Sequence, residues 1–276
     1  MLGLKNNDNI VLIRGAGDIA TGIGVRLYKA GFNVTMTEIL EPSCIRRTVA
    51  FSDAVYNGET EVESIKAVLA DTPQSAKLLL EDRVVPVLID PNLDSVDFFK
   101  PYGLVDATLA KINLGINMDM SPVVIGIGPG FCAGIDCHAV VETMRGHDLG
   151  RVIYSGKPQE NTGIPGAILG FTKRLVYAPV SGVIEIINDI GDMVKVNQTI
   201  AHVDGFPVKA PLSGVLRGII KNKYRVKEGM KIGDVDPRGV IEYCFRISDK
   251  ARAIGGGVLE ALLHCSDQGI NERKIS

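Results

Sequence analysis

The sequence contains no tryptophan, and aromatic residues make up 5% of its 276 positions. Indole fluorescence is therefore no reporter for this chain, and so thin an aromatic content leaves its oligomeric state open. No apolar run approaches the roughly 20 residues that a bilayer span requires. Behind Met1, "LGLKNNDN" lacks the basic and apolar segments of a secretory leader. A cytoplasmic protein without membrane contact is expected. Basic residues are not in excess either: 30 Lys and Arg against 32 Asp and Glu give a net charge of −2, with no long basic run. That removes the electrostatic footprint of a duplex-binding protein, and no nucleic-acid partner is expected. Cys44, Cys132, Cys137, Cys244 and Cys265 are odd in number and scattered, which argues against a disulfide framework and for reduced thiols. What the chain does have is 46% hydrophobic and 22% charged content, enough core for one large domain or two ordinary ones.

The N-terminal stretch "NIVLIRGAGDIATGIGVRLYKAGFNVTMTEI" predicts a strand at Ile10 to Ile13, a glycine turn, a helix from about Asp18 to Ala30, a stop at Gly31 and a second strand ending at Glu38. The turn "GAGDIA" fits G-x-G-x-x-A: Gly15 for the tight bend, Gly17 for backbone approach to a pyrophosphate, Ala20 for close helix packing. The helix start at Asp18 presents free N–H groups to an anion, and Glu38 stands where a carboxylate accepts ribose hydroxyls. Gly15, Gly17, Asp18, Ala20 and Glu38 are thus cofactor-binding candidates. The plainer reading is the same fold with its site lost or reassigned. Arg46 and Arg47 follow closely, either as a seat for a 2′-phosphate or another anion or as a solvated pair. "VVPVLID", "GLVDATLA" and "VVIGIG" read as further strands, with helical spacing between Val62 and Leu80. A mostly parallel sheet follows from the alternation.

The C-terminal part repeats itself. "APVSGVIEIIN" from Ala178 returns as "APLSGVLRGII" from Ala210, and the same shift aligns Val194-Lys195 with Val226-Lys227, Ile200 with Ile232 and Val203-Asp204 with Val235-Asp236. Each copy reads as a small antiparallel unit that buries one face against its twin. The pattern resembles the biotinyl and lipoyl barrel-sandwich hybrids. In those carriers the joining hairpin presents a modifiable lysine, whereas here it is "HVDGFPVKAP", with Asp204-Gly205 at its tip and Lys209 within a strand. A rigid spacer or docking surface is expected instead of a swinging arm.

"GPGFCAGIDCHAVVETMRGH", Gly128 to His147, gathers two cysteines, two histidines and two acids behind a glycine turn. As a metal site it offers Cys132, Cys137, His138, Glu142 and His147, with His138 and Glu142 sharing a helix face if a helix begins near Asp136. The C-x-x-x-x-C spacing lacks a second cysteine pair, so no bound metal is expected. As an anion cradle, "GIGPG" between strand and helix gives a nest of N–H groups at Gly128 and Gly130, and the two glycine turns would face one ligand from two sides. As a structural turn it does neither.

"RGAGDIA", "GPGF.AG.D", "VVETMRGHDLGRV", "NTGIPG", the paired "AP.SG" repeats and the closing "AIGGGVLEALL" together resemble the YqeB-type accessory proteins of selenium-dependent molybdenum hydroxylase systems. The N-terminal half is also similar to XdhC-type maturation factors. The resemblance implies a molybdopterin-type cofactor or nucleotide-containing precursor as ligand, and molybdenum hydroxylase subunits or other maturation factors as partners. It also implies phosphate contacts from the glycine turns, aided by Arg14, Arg145 and Arg151 if they point inward. A chalcogen-carrying thiolate at Cys132 or Cys137, and acid–base work by His138, Glu142 or His147, stay open.

The expected fold class is α/β, a Rossmann-like parallel sheet followed by a small all-β barrel-sandwich hybrid. Its expected divisions are a nucleotide-binding domain over residues 1–120, a glycine-rich connecting module over 121–172, the hybrid over 173–240 and a helical segment over 241–276. "YSGKPQENTGIPGAILG" (Tyr154 to Gly170) reads as a hinge or ligand-facing loop. Two other functions stay open: an NAD(P)-dependent oxidoreductase and a non-catalytic docking scaffold.

Overall fold

The computed structural model describes residues 9–163 and 166–273, with side chains of the last helix described as far as Cys265. Ile164 and Pro165 of the expected hinge lie outside the described residues. The chain forms two compact units, each gathered from separate stretches. One holds the chain up to Pro42, Phe51–Asn161 and Ile247 onward; the other holds Ser43–Ala50 and Thr162–Arg246.

The first unit carries β1 (Ile10–Arg14), α1 (Asp18–Lys29), β2 (Asn33–Glu38), α2 (Ala54–Asn57), β3 (Glu59–Val62), β4 (Ile65–Ala70), α3 (Pro73–Glu81), β5 (Val85–Ile89), α4 (Val96–Phe99), β6 (Gly103–Asp106), β7 (Val123–Ile127), β8 (Ala139–Val141), β9 (Val152–Ile153) and α5 (Asp249–Arg273). Its strands make one sheet in the order β3-β4-β5-β2-β1-β6-β7-β8-β9. β1 is "IVLIR" and is buried throughout, as a strand covered on both faces must be. Helix α1 ends at Ala30, with Gly31 beyond it at φ +98°, the left-handed stop that glycine adopts freely. Thr72 and Ser75 form a reciprocal capping box at the start of α3, with Pro73 in its first turn. The stretch expected to be helical from Val62 to Leu80 is therefore a strand, a cap and a nine-residue helix.

Helices α1 and α5 cross closely because both are thin at the crossing. A Cβ on Gly22 would lie 2.6 Å from Ala251 Cβ, and one on Gly255 would lie 3.0 Å from Gly22 O. Further along, Gly257 lies directly against Gly150 O, and Leu262 fills the space above Gly103. The "AIGGG" motif is thus a packing surface. On the sheet's other face Leu12, Leu104, Val124 and Val140 form a core with Ala76 and Leu80 of α3.

The second unit carries β10 (Leu175–Tyr177), β11 (Gly182–Ile186), β12 (Met193–Val194), β13 (Thr199–Val203), β14 (Phe206–Lys209), β15 (Gly214–Ile219), β16 (Arg225–Val226) and β17 (Lys231–Asp236). These make two four-stranded antiparallel sheets, β10-β17-β15-β12 and β14-β13-β11-β16. In each repeat the first strand pairs with the third of its own copy and with the short second strand of the other: β11 with β13 and β16, β15 with β17 and β12. Equivalent residues meet in one core, Ile184 with Leu216, Ile200 with Ile232 and Val203 with Val235, joined by Ile45 from the 43–50 arm. At the hairpin tip Asp204 turns back and accepts from Val183 N at 2.9 Å.

This topology corrects the expected Rossmann-like parallel sheet followed by a small barrel-sandwich hybrid. The large sheet is mixed: β3 pairs antiparallel with β4, and β8 antiparallel with β9. Glu63 and Ser64, both at positive φ, reverse the chain in two residues, which admits only an antiparallel return. At the other edge Glu142 N donates to Arg151 O and Gly150 N to Glu142 O, so β9 comes back through a short loop without a crossover helix. The all-β part is a pair of antiparallel sheets.

Candidate functional site

Parallel strands of open α/β sheets bring their loops together at the carboxyl ends, and a crevice forms where successive crossovers diverge. Here β2 and β6 flank β1 on opposite sides, so that place lies over Gly15, Glu38 and Asp106. Gly15, at φ +93°, donates its N–H to Thr37 O at 2.8 Å. Ala16 N donates to Glu38 Oε2 and Ile39 N to Glu38 Oε1, each at 2.9 Å. Glu38 therefore occupies the first turn itself, in place of reaching a ribose from across it. Burial pushes its carboxyl above the ordinary value against the pull of the two N–H groups. Gly17 caps α1 in an extended conformation with no side-chain hydrogen bond, Asp18 stands in the first helical turn and Ala20 is buried. Of the expected cradle, the capping position of α1 is the part that carries no side chain of its own.

Arg14 does not point at a ligand. Its Nη1 donates to Asp106 Oδ2 (3.3 Å) and Leu114 O (3.1 Å), and its Nη2 to Pro91 O (2.6 Å). Asp106, fully buried, also accepts from the N–H and hydroxyl of Thr108. This buried pair at the end of β6 was not read from the sequence. The only signal for it is an acid closing the strand in "GLVD". Arg145 pairs with Asp249 at 2.8 Å and Arg151 with Asp148 at 3.6 Å. Arg46 Nη2 donates to Tyr243 O and Arg246 O, while Arg47 bonds Ile219 O and Asp189. Neither arginine of that pair is a 2′-phosphate seat; both fasten the 43–50 arm within the second unit.

The second glycine turn departs from expectation. Gly128 N donates to Val141 O at 2.9 Å, Pro129 has no N–H, and a Cβ on Gly130 would lie 2.6 Å from Lys111 C and Ile112 N. No helix follows: Cys132 N donates to Asp136 Oδ2 at 2.7 Å, Asp136 N returns to Cys132 O, and Gly134 takes φ +83°. The side chain of Asp136 thus closes a compact loop in which a helix was expected to begin. His138 and Glu142 then flank β8, where four residues span about 13 Å, instead of sharing one helix face. Among the described residues no three His, Cys, Asp or Glu side chains converge to hold a metal ion.

The other candidates are tied into the frame. His138 Nδ1 accepts from Val124 N at 2.9 Å, and burial pushes the imidazole below its ordinary value. Glu142, 2% exposed, accepts from Thr143 N, Met144 N and Gln159 N, each at 2.7 Å. His147 is exposed and Cys132 half-buried. Cys137 is fully buried, and burial pushes its thiol up to about 12, the reverse of what a thiolate carrier needs.

No family model matches the chain. It is 52% identical over 266 residues to the uncharacterized protein YqeB of Escherichia coli K12, a match that covers 96% of this chain. The chain is a relative of YqeB. It spans about half the length of that curated relative, 49%. YqeB carries no assigned chemistry in its name, so the likeness supplies kinship alone. Among solved structures, a succinylglutamate desuccinylase from a Silicibacter species aligns at 11% identity, with 84% of this chain and 85% of that one covered and a TM-score of 0.25. The product-bound ectoine utilization protein EutE of Ruegeria pomeroyi gives 11%, 83%, 85% and 0.26. A succinylglutamate desuccinylase/aspartoacylase of Rhodobacter sphaeroides gives 12%, 83%, 84% and 0.24. At such scores these likenesses carry neither fold nor chemistry to this chain. Among the described residues no helix is long and apolar enough to cross a membrane.

Proposed function

We propose that the chain is an accessory protein in the maturation of selenium-dependent molybdenum hydroxylases, binding the molybdenum cofactor or a nucleotide-containing precursor at the carboxyl ends of β1, β2 and β6. The observation that carries the reading is the amino end of α1: Gly17 leaves it without a side-chain cap, at the place in an open sheet where phosphorylated ligands settle. Kinship with YqeB supports the family resemblance drawn from the motifs. Calorimetric titration of the full chain with molybdopterin nucleotides, NAD(H) and NADP(H) tests it. Molybdopterin nucleotide binding in the micromolar range or tighter, abolished in Gly17→Asp, is the expected result. Aspartate is a good helix cap, so that variant closes the amino end with a carboxylate while leaving the fold intact. Turnover with NAD(P)H would overturn the reading in favour of an oxidoreductase, an alternative weakened by the engagement of Arg46 and Arg47. A docking scaffold is the second reading. It is favoured by the packing of Gly15 and Gly130 against the chain's own residues 107–112, and silence in every titration would select it.

A further inference from the structure

Two glycine turns more than a hundred residues apart close on the same piece of chain. A Cβ on Gly15 would lie 3.2 Å from Ala107 O, and one on Gly130 would lie 2.6 Å from Ile112 N. Glycine at such positions normally allows close approach of a ligand or of another backbone. Here the guest is the segment that leaves β6. We infer that residues 107–114 form a strap lying across the carboxyl-end crevice, and that it must lift before an anionic ligand gains the amino end of α1. This rests on the reading of that crevice as a cofactor site.

The near end of the strap is tied by Ala107 N to Arg14 O and by the Thr108 N–H and hydroxyl to Asp106 Oδ1, and between its ends it is locally strained. Leu109 and Lys111 sit at φ +57° and +68°, left-handed conformations that side chains other than glycine and asparagine adopt reluctantly and that cluster at switch segments. Ile112 and Leu114 are 61% and 44% exposed, so the closed strap turns apolar groups to solvent. Its far end is fixed from two sides. Arg14 donates to Leu114 O at 3.1 Å. Asn113 accepts from Gly115 N and Ile116 N and donates to Ile116 O and to Asp136 Oδ1, the last at 3.3 Å. Removing the Asn113 side chain loosens the far end of the strap without touching the sheet, and a methyl at Gly130 crowds the Lys111–Ile112 peptide.

The test uses inorganic pyrophosphate as the probe and the full chain as wild type, Asn113→Ala and Gly130→Ala. Hydrogen exchange measures opening of residues 107–116, and calorimetry measures affinity. A strap that shields the crevice reduces apparent affinity by the fraction of open molecules. Exchange about tenfold faster in the strap alone, with pyrophosphate binding tightened several-fold, is the expected result in Asn113→Ala. Gly130→Ala gives the same direction, and if its own positive φ prevents folding, Asn113→Ala decides. Faster exchange with unchanged pyrophosphate affinity overturns the strap and leaves the cofactor reading standing. Faster exchange with no pyrophosphate or molybdopterin nucleotide bound by any variant overturns both. A strap that exchanges as slowly as β6 in every variant overturns the strap alone.

Discussion

Substitution of Glu142 by glutamine separates a structural carboxylate from a catalytic one. The side chain is 2% exposed, and its two oxygens accept three main-chain N–H groups: Thr143 and Met144 at Oε1, Gln159 at Oε2, each at 2.7 Å. Those bonds pin the start of the 143–150 loop and the segment approaching Asn161 to the end of β8. Glutamine fits the space but has one oxygen. With the amide oxygen at the Oε1 position, Thr143 and Met144 keep their acceptor and the amide NH₂ confronts Gln159 N–H, donor against donor. Flipping the amide keeps one bond and loses two. Hydrogen bonds to a charged acceptor contribute about 1.5–3 kcal/mol each, and an orphaned buried donor costs about 1–3 kcal/mol. The better orientation thus loses about 3 kcal/mol, or roughly 6–12 °C in Tm for a unit of this size. Urea and thermal denaturation followed by circular dichroism measure it. Glu59→Gln serves as the control, because its pair with Lys66 is largely exposed and is worth less than about 1 kcal/mol. A Glu142→Gln chain that melts within a degree of wild type yet loses a ligand-dependent activity would refute the reasoning and return Glu142 to the acid–base candidates.

Further outcomes follow from the same geometry. Gly257→Ala sets a methyl against Gly150 O, whereas a Cβ on Gly256, one residue earlier, meets nothing within 4 Å. Denaturation should show Gly257→Ala destabilised by several kcal/mol and Gly256→Ala unchanged or stabilised by up to about 1 kcal/mol, the helix-propensity gain. In the second unit Asp234 binds both Arg174 and Arg217, and Arg217 also reaches Asp236 at 3.0 Å. Burial pushes the Asp234 carboxyl up, and the two guanidiniums together hold it below its ordinary value. Its contribution is therefore present above the unfolded carboxylate pKa, near 3.9, and lost as pH falls through the lower folded value. Asp234→Asn should lose about 3–5 kcal/mol at pH 7 and flatten acid unfolding below pH 4 in a denaturant–pH series. Iodoacetamide with peptide mass mapping at pH 8 should label half-buried Cys132 well before fully buried Cys137, whose thiol is pushed up to about 12. Equal labelling would show that the 131–138 loop opens.

Much of the first unit was legible because local signals and tertiary demands agree there. "IVLIR", the glycine turn and Gly31 delimit β1 and α1 almost to the residue. The repeat announced paired strands because equivalent apolar positions had to meet in one core. Illegible were features decided by side chains reaching across sequence. "FCAGIDCHAVVE" has helical spacing, yet the Asp136 carboxylate captures Cys132 N and the segment closes as a loop. At one edge the mixed character of the sheet hangs on Glu63 and Ser64 accepting positive φ, which neither residue type advertises. The return of the chain after Arg246 to the first unit depends on small residues at the crossing of α5 with α1. That complementarity is invisible from either helix alone.

The cofactor candidates show why a glycine fingerprint underdetermines function. The pattern encodes a demand on space, that something must come within van der Waals reach of the backbone at Gly15 and Gly130, and it leaves the visitor unnamed. In dinucleotide sites the visitor is a pyrophosphate; at these two turns it is Ala107 and the Lys111–Ile112 peptide. Glu38 poses the same ambiguity in charge. A carboxylate at the end of β2 can accept from a ribose, and here it accepts from Ala16 N and Ile39 N. Both substitutions of self for ligand satisfy the same sterics and the same hydrogen-bonding capacity. At the amino end of α1 the capping position itself adds no side chain, because it is Gly17. The proposed ligand site turns on that position, and Gly17→Asp is the substitution that isolates it.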